Sequence, residues 1–102
     1  MKAIIDGKRY DTEKAELVCE IKDGAVGDFR RIDAGLYRTP RSKEFFLAGW
    51  GGAMTVFARS NSDNTRSGSN KVIPLSEQDA LAWAEQFASV EVIEQFFAVK
   101  DA

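Results

Sequence analysis

The chain contains no histidine, one cysteine and two prolines, and each shortage closes off a class of chemistry. Without an imidazole there is no Ser-His or Cys-His nucleophile pair, no histidine metal site and no imidazole acid-base step. Cys19 stands alone and cannot form an intramolecular disulfide. It sits in the apolar-rich LVCEIK, where a buried reduced thiol is the expected state, and this points to a reducing compartment. No stretch approaches the roughly 20 apolar residues of a membrane span, and the apolar run in MKAIIDGKRYD is too short for a signal peptide. A soluble, cytoplasmic protein without cofactor or metal is expected.

What is present fits one compact domain over residues 1 to 102, since the chain is 44% hydrophobic and near the lower end of what a single core stabilises. Such a chain has room for two layers and little for a deep substrate cleft, which favours binding over catalysis. The net charge of −2 conceals an asymmetry. Residues 1 to 75 carry thirteen Lys and Arg against ten Asp and Glu, whereas residues 76 to 102 set Lys100 against Glu77, Asp79, Glu85, Glu91, Glu94 and Asp101. The C-terminal segment would offer carboxylates to a basic surface and repel phosphate.

The pattern predicts an α+β fold, with four to six short antiparallel strands and C-terminal helix packed on one face; residues 1 to 75 are mainly β and 76 to 100 helical. Asp6-Gly7 between β-prone runs predicts a hairpin of Lys2 to Ile5 with Lys8 to Tyr10. Asp11 or Thr12 can cap a single turn through Ala15. LVCEI alternates Leu17, Cys19 and Ile21 on one side as a strand, and DFRRIDAGLYR forms another, with a bulge or bend near Ala34-Gly35. Pro40, Arg41 and Ser42 turn that strand into EFFLAG, and GWGG at 49 to 52 marks a sharp turn or a close backbone approach. AMTVFAR reads as a strand. SNSDNTRSGSN, residues 60 to 70, has no apolar side chain and reads as an exposed loop. KVIPL is a strand, and Ser76 with Asp79 caps a helix whose apolar positions are Ala80, Leu81, Ala84, Phe87 and Ala88. Val90, Ile93, Phe96 and Phe97 continue as a second apolar stripe; left bare, it would drive self-association.

Two candidate surfaces emerge. Arg30, Arg31, Arg38, Arg41 and Lys43 fall within fourteen positions and alternate with Phe29, Tyr37 and Phe45, so that on one sheet face they would contact phosphates and stack bases, or meet an acidic protein surface. The bland alternative is a solvated face. Trp50, between glycines, is either tucked over the sheet edge or an interface anchor. Arg66 in the polar loop and Glu85 on the acidic helix face complete the candidate binding residues, whereas Trp83 beside Phe87 reads as packed. The carboxylate pairs Asp23 with Asp28 and Glu13 with Glu16 read as surface, so a carboxylate enzyme is the weakest alternative.

Three stretches, IIDGKRYDTEKAELV, LYRTPRSKEFFLAGWGG and KVIPLSEQDALAWAEQF, together about half the chain, resemble a group of short bacterial proteins found in phages and other mobile elements. Proteins of this size and setting include anti-CRISPR inhibitors. The resemblance carries no catalytic residues, and it implies a non-enzymatic protein-binding module whose partner is a CRISPR effector nucleoprotein. A nucleic-acid-binding accessory protein using the arginine ribbon is the second expectation.

Overall fold

The computed structural model describes all residues from Met1 to Ala102. Its centre is an antiparallel sheet in the order β3-β4-β5-β8, formed by Glu16–Asp23 (β3), Ile32–Arg38 (β4), Phe45–Gly51 (β5) and Ser69–Leu75 (β8). A hairpin of Lys2–Ile5 (β1) and Lys8–Asp11 (β2) lies on one side of it, and a second, very short hairpin pairs Arg59–Ser60 (β6) with Arg66–Ser67 (β7). The helices Glu77–Phe87 (α1) and Val90–Phe96 (α2) cover the opposite sheet face. The fold is α+β, as the residue pattern predicts. No helix is long and apolar enough to cross a membrane.

Two-residue alternation along β5 builds a core on each face. Phe45 and Leu47 join Val18, Ile21, Leu36, Phe57, Ala80, Ala84 and Phe97 beneath the helices. Phe46 and Ala48 point the other way and meet Tyr10. Phe46 packs edge-on to Tyr10 and stacks on Tyr37, each at 5.3 Å between ring centroids. Each such aromatic pair contributes about 0.5 to 1.5 kcal/mol beyond area burial, so this cluster is what docks the first hairpin on the sheet. The hairpin itself is closed by Asp6 and Gly7 with φ of 53° and 76°, the paired positive values of the turn that matches strand twist. Asp11 then anchors the following turn. Its Oδ1 accepts from the Glu13 N–H and its carbonyl from the Ala15 N–H, each at 3.0 Å.

Helix α1 starts where Ser76 Oγ accepts the Asp79 N–H at 3.1 Å, with Glu77 and Asp79 placed favourably at the positive end of the dipole. Its fully buried residues are the small Ala80 and Ala84, which bring the helix close to the sheet. Ala88 is extended, so the helix stops, and Ser89 caps α2 through the Val92 N–H. Residues 97 to 102 lie outside any helix, which shortens the helical segment expected to reach residue 100. The second apolar stripe is consumed internally: Phe97 is buried and stacks on Phe45 at 4.8 Å, Ile93 and Phe96 are half-buried, and Val90 alone is exposed.

Other expectations are corrected. The strand register shifts between Leu17 and Cys19, so the bulge falls in β3 at Val18, while β4 pairs without interruption through Ala34 and Gly35. The bulge turns Val18 into the helix-covered core and leaves Leu17 exposed, breaking the Leu17-Cys19-Ile21 alternation. Cys19 is half-buried, and burial raises its thiol pKa above the ordinary value. Of the two readings of GWGG the close backbone approach holds, since a Cβ on Gly49 would lie 2.5 Å from the Ala34 Cα, and the sharp turn does not, because β5 continues through Gly49, Trp50 and Gly51, paired on one side with Asp33 and on the other with Asn70 at the tryptophan. AMTVFAR is not a strand but a run of turns, with strand structure only from Arg59. The polar segment 60 to 70 is largely exposed, yet it carries β7 and the first residues of β8.

Candidate functional site

Trp50 and Arg66 come together at one end of the sheet, lining a cavity of about 340 Å³ with Gly27, Asp28, Phe29, Gly52, Ala53, Ser67 and Gly68. Its floor is a seam between two non-strand segments. The Gly52 N–H donates to the Arg31 carbonyl at 2.8 Å and the Met54 N–H to the Phe29 carbonyl at 2.9 Å. A Cβ on Gly52 would lie 2.5 Å from the Phe29 carbonyl oxygen, so the seam requires glycine there. The consequence is that Phe29 and Met54 stand side by side in solvent, 67% and 61% exposed, with Arg66 beside both.

Segment 52 to 58 is tied down by hydrogen bonds and by one buried ring in spite of lacking strand pairing. Thr55 Oγ1 donates to the Gly52 carbonyl at 2.8 Å and accepts from the Phe57 N–H at 3.1 Å. Phe57 is driven into the core with no exposed surface, and the Ser69 hydroxyl and the Lys71 ammonium from β8 donate to the carbonyls of Phe57 and Ala58. At the tip of the β6–β7 hairpin, Asp63 accepts from the Thr65 hydroxyl at 2.6 Å and from its N–H at 3.2 Å; these bonds hold its carboxyl below the usual aspartate range and shape the turn that presents Arg66.

The arginine ribbon does not form one face. Only Arg38 lies on β4; Arg30 and Arg31 sit in the turn before it, and Arg41 and Lys43 sit in the turn after it. Arg38 is a structural clasp. Its Nη2 donates to Glu16 at 3.0 Å, its guanidinium lies 4.6 Å over the Phe96 ring, and its buried Nε has no partner. Lys43 also faces Glu16, at 3.9 Å, with φ of 56°. Arg31 donates to the Gly24 carbonyl and pairs loosely with Asp33 at 3.9 Å. Arg30 is exposed and enters no ion pair, and Asp28 Oδ1 accepts its backbone N–H. Glu85 is exposed on α1, and Trp83 stacks on Phe87 at 6.1 Å, within the packed set.

Arg41 belongs to a different concavity, a groove of about 720 Å³ between the first hairpin and the turn joining β4 to β5. Lys8, Arg9, Asp11, Lys14, Ala15, Thr39, Pro40, Ser42 and Glu44 complete it. The turn is pinned by Thr39, whose N–H donates to the Glu44 carbonyl at 2.8 Å and whose Oγ1 accepts from the Glu44 N–H at 2.9 Å. The Lys8 ammonium donates to Glu44 across the groove; this bond, with a further one from Ser42, holds the Glu44 carboxyl below its ordinary pKa. A group whose folded pKa is lowered stabilises above its unfolded value, and that stabilisation is lost as pH falls through the folded pKa. Carboxyl titration by NMR should therefore place Glu44 below an ordinary glutamate, and Lys8→Met should return it upward. A midpoint indifferent to Lys8→Met would dismiss the link.

Sequence reasoning did not single out Met54, Lys8, Arg9 or Lys14, and it took Phe29 for a strand residue. The signal for Phe29 was present: it is a large aromatic at the end of KDGAVGDF, with turn residues before it and no periodic partner. The groove cations come from three segments of the chain and leave no contiguous trace.

The fold and surfaces define a class: a small α+β domain with helices on one sheet face, a hairpin on the other, and an apolar-basic cleft at one end of the sheet. No protein family, curated protein or solved structure matches the chain.

Proposed function

We propose that this protein is a non-enzymatic protein-binding module of a phage or mobile element that docks on a host defence complex through the Phe29, Trp50, Met54 and Arg66 surface. The observation that supports docking is the pair Phe29 and Met54, held exposed on a hydrogen-bonded seam beside a tryptophan-lined cavity. Aromatic residues, methionine and arginine are the types enriched at protein interfaces, and an aromatic on a rigid base loses little entropy on binding. Arg30 and Arg66 enter no ion pair, with no Asp or Glu oxygen within 4 Å of either guanidinium. The complementary partner is a protein face with carboxylates around an apolar anchor. The narrower reading, inhibition of a CRISPR effector, rests on the resemblance of the three stretches to mobile-element proteins.

The test uses tagged protein against purified CRISPR effector subunits after nuclease treatment, with target cleavage as a second readout. Retention and slowed cleavage are expected, and Phe29→Ala with Arg66→Glu should weaken retention roughly 30-fold or more, the loss typical of central interface residues. Failure to bind any effector subunit removes the inhibitor form. Binding unchanged in the double variant removes this surface as the docking site.

A further inference from the structure

The groove under Arg41 lies outside the docking surface, and its charge is not settled within the fold. Four cations line it, Lys8, Arg9, Lys14 and Arg41, against the carboxylates of Asp11 and Glu44. Both carboxylates are already engaged. Asp11 is buried, with Oδ1 accepting the Glu13 N–H that shapes the turn. Glu44 accepts from Lys8 and from the Ser42 hydroxyl. Glu16, which faces Lys43 of the same turn, is shared by Arg38 and Lys43. That leaves Arg9, Lys14 and Arg41, all exposed, none within ion-pair distance of a carboxylate and none donating a side-chain hydrogen bond.

Like charges gathered in a concavity repel one another and raise the local concentration of anions, so the groove attracts a ligand with repeated negative charge. Its lining also fixes which part of a ligand it can contact. The apolar lining is limited to Ala15 and Pro40, and no aromatic ring faces the space, so there is no platform on which a base would stack. Phosphate oxygens, by contrast, find three free cations, Arg9, Lys14 and Arg41. A volume of about 720 Å³ accepts a short run of backbone rather than one ion. The remainder of the molecule argues against non-specific attraction, since the net charge is −2 and the helical segment is acidic.

We propose that the groove between the β1–β2 hairpin and the β4–β5 turn binds the phosphodiester backbone of a nucleic acid, without base readout, through Arg9, Lys14 and Arg41. The contact goes beyond the docking reading and does not depend on it. A strand held here is contacted by residues from three separate chain segments.

Fluorescence anisotropy with a labelled 20-nucleotide single strand tests this on the isolated protein, with no effector present. Three phosphates neutralised give a slope of about −2 in log affinity against log salt, so binding should weaken roughly 20-fold between 50 and 200 mM salt. Arg9→Ala, Lys14→Ala and Arg41→Ala combined should abolish it while leaving the circular dichroism spectrum unchanged, because all three side chains are exposed. Arg30→Ala with Arg66→Ala removes two exposed arginines that do not line the groove and should leave the affinity and slope as they were. Salt-independent binding, no binding, full retention by the triple variant, or equal loss in the Arg30 and Arg66 variant would each overturn the proposal. Displacement of the strand by tripolyphosphate at equal total phosphate would overturn the backbone as occupant and put a small polyphosphate in its place.

Discussion

Gly49→Ala is expected to lower the stability of this protein by about 3 to 5 kcal/mol, and with it the melting temperature by some 15 °C or more. Gly49 lies inside β5 with φ of +146°, opposite Ala34 of β4. A Cβ there would sit 2.5 Å from the Ala34 Cα and 2.6 Å from the Asp33 carbonyl oxygen, both backbone atoms that cannot turn aside. The two central strands must therefore separate locally or β5 must abandon the conformation that sets Trp50 opposite Asp33 of β4. Strained backbone costs about 1 to 3 kcal/mol and overpacking a similar amount, a large share of the 5 to 15 kcal/mol that holds an ordinary domain. Gly27→Ala supplies the comparison, since Gly27 also has positive φ, +87°, but an added Cβ meets nothing within 4 Å. Denaturant melts that rank the two substitutions equally would show that backbone collision is not what makes Gly49 glycine.

Phe57→Ala carries the second large effect, a loss of about 3 to 5 kcal/mol for a fully buried aromatic. Phe57 is the only large side chain by which the turn-rich segment 52 to 58 enters the helix-covered core. Removing it leaves a cavity and leaves that segment attached through the Ser69 and Lys71 bonds and the seam to residues 29 to 31. Its neighbour Val56 is 55% exposed, so Val56→Ala should move stability by no more than about 0.5 kcal/mol. Equal effects at the two adjacent positions would refute the anchoring role. Because the segment also carries Met54, Phe57→Ala should weaken partner binding even at temperatures where the protein stays folded, and amide exchange should quicken from Gly52 to Ala58 before it does in β4 or β5.

Particular elements show how far local chemistry reaches. Asp6-Gly7 fixed the first hairpin because few residue pairs accept two positive φ values. Ser76 fixed the start of α1 because its hydroxyl satisfies an otherwise unpaired N–H. The bulge expected near Ala34-Gly35 lies at Val18 instead, because a bulge is a mismatch between two strands and one strand's residues do not show it. AMTVFAR has the residue types of a strand, yet Thr55 hydrogen bonds close it into turns and Phe57 takes the core position. The arginine ribbon failed as a single surface for a similar reason. Spacing places residues along a chain, but β4 spans only Ile32–Arg38, so its two ends divide Arg30 and Arg31 from Arg41 and Lys43.

The sequence by itself determined the fold class, the β-before-α order, the hairpin turns at Asp6-Gly7 and at Pro40 to Ser42, the Ser76 cap of α1 and the exclusion of imidazole chemistry, because each depends on residue type or on spacings of a few positions. Tertiary structure alone decided which side chains share a surface. It set Phe29 and Met54 beside Trp50 and Arg66 through a backbone seam that Gly52 permits, and it gathered Arg9 of β2, Lys14 of the turn after it and Arg41 of the β4–β5 turn into one groove. Those neighbours are joined by strand register and by the docking of the first hairpin on Phe46, contacts between residues far apart in the chain that no local pattern records.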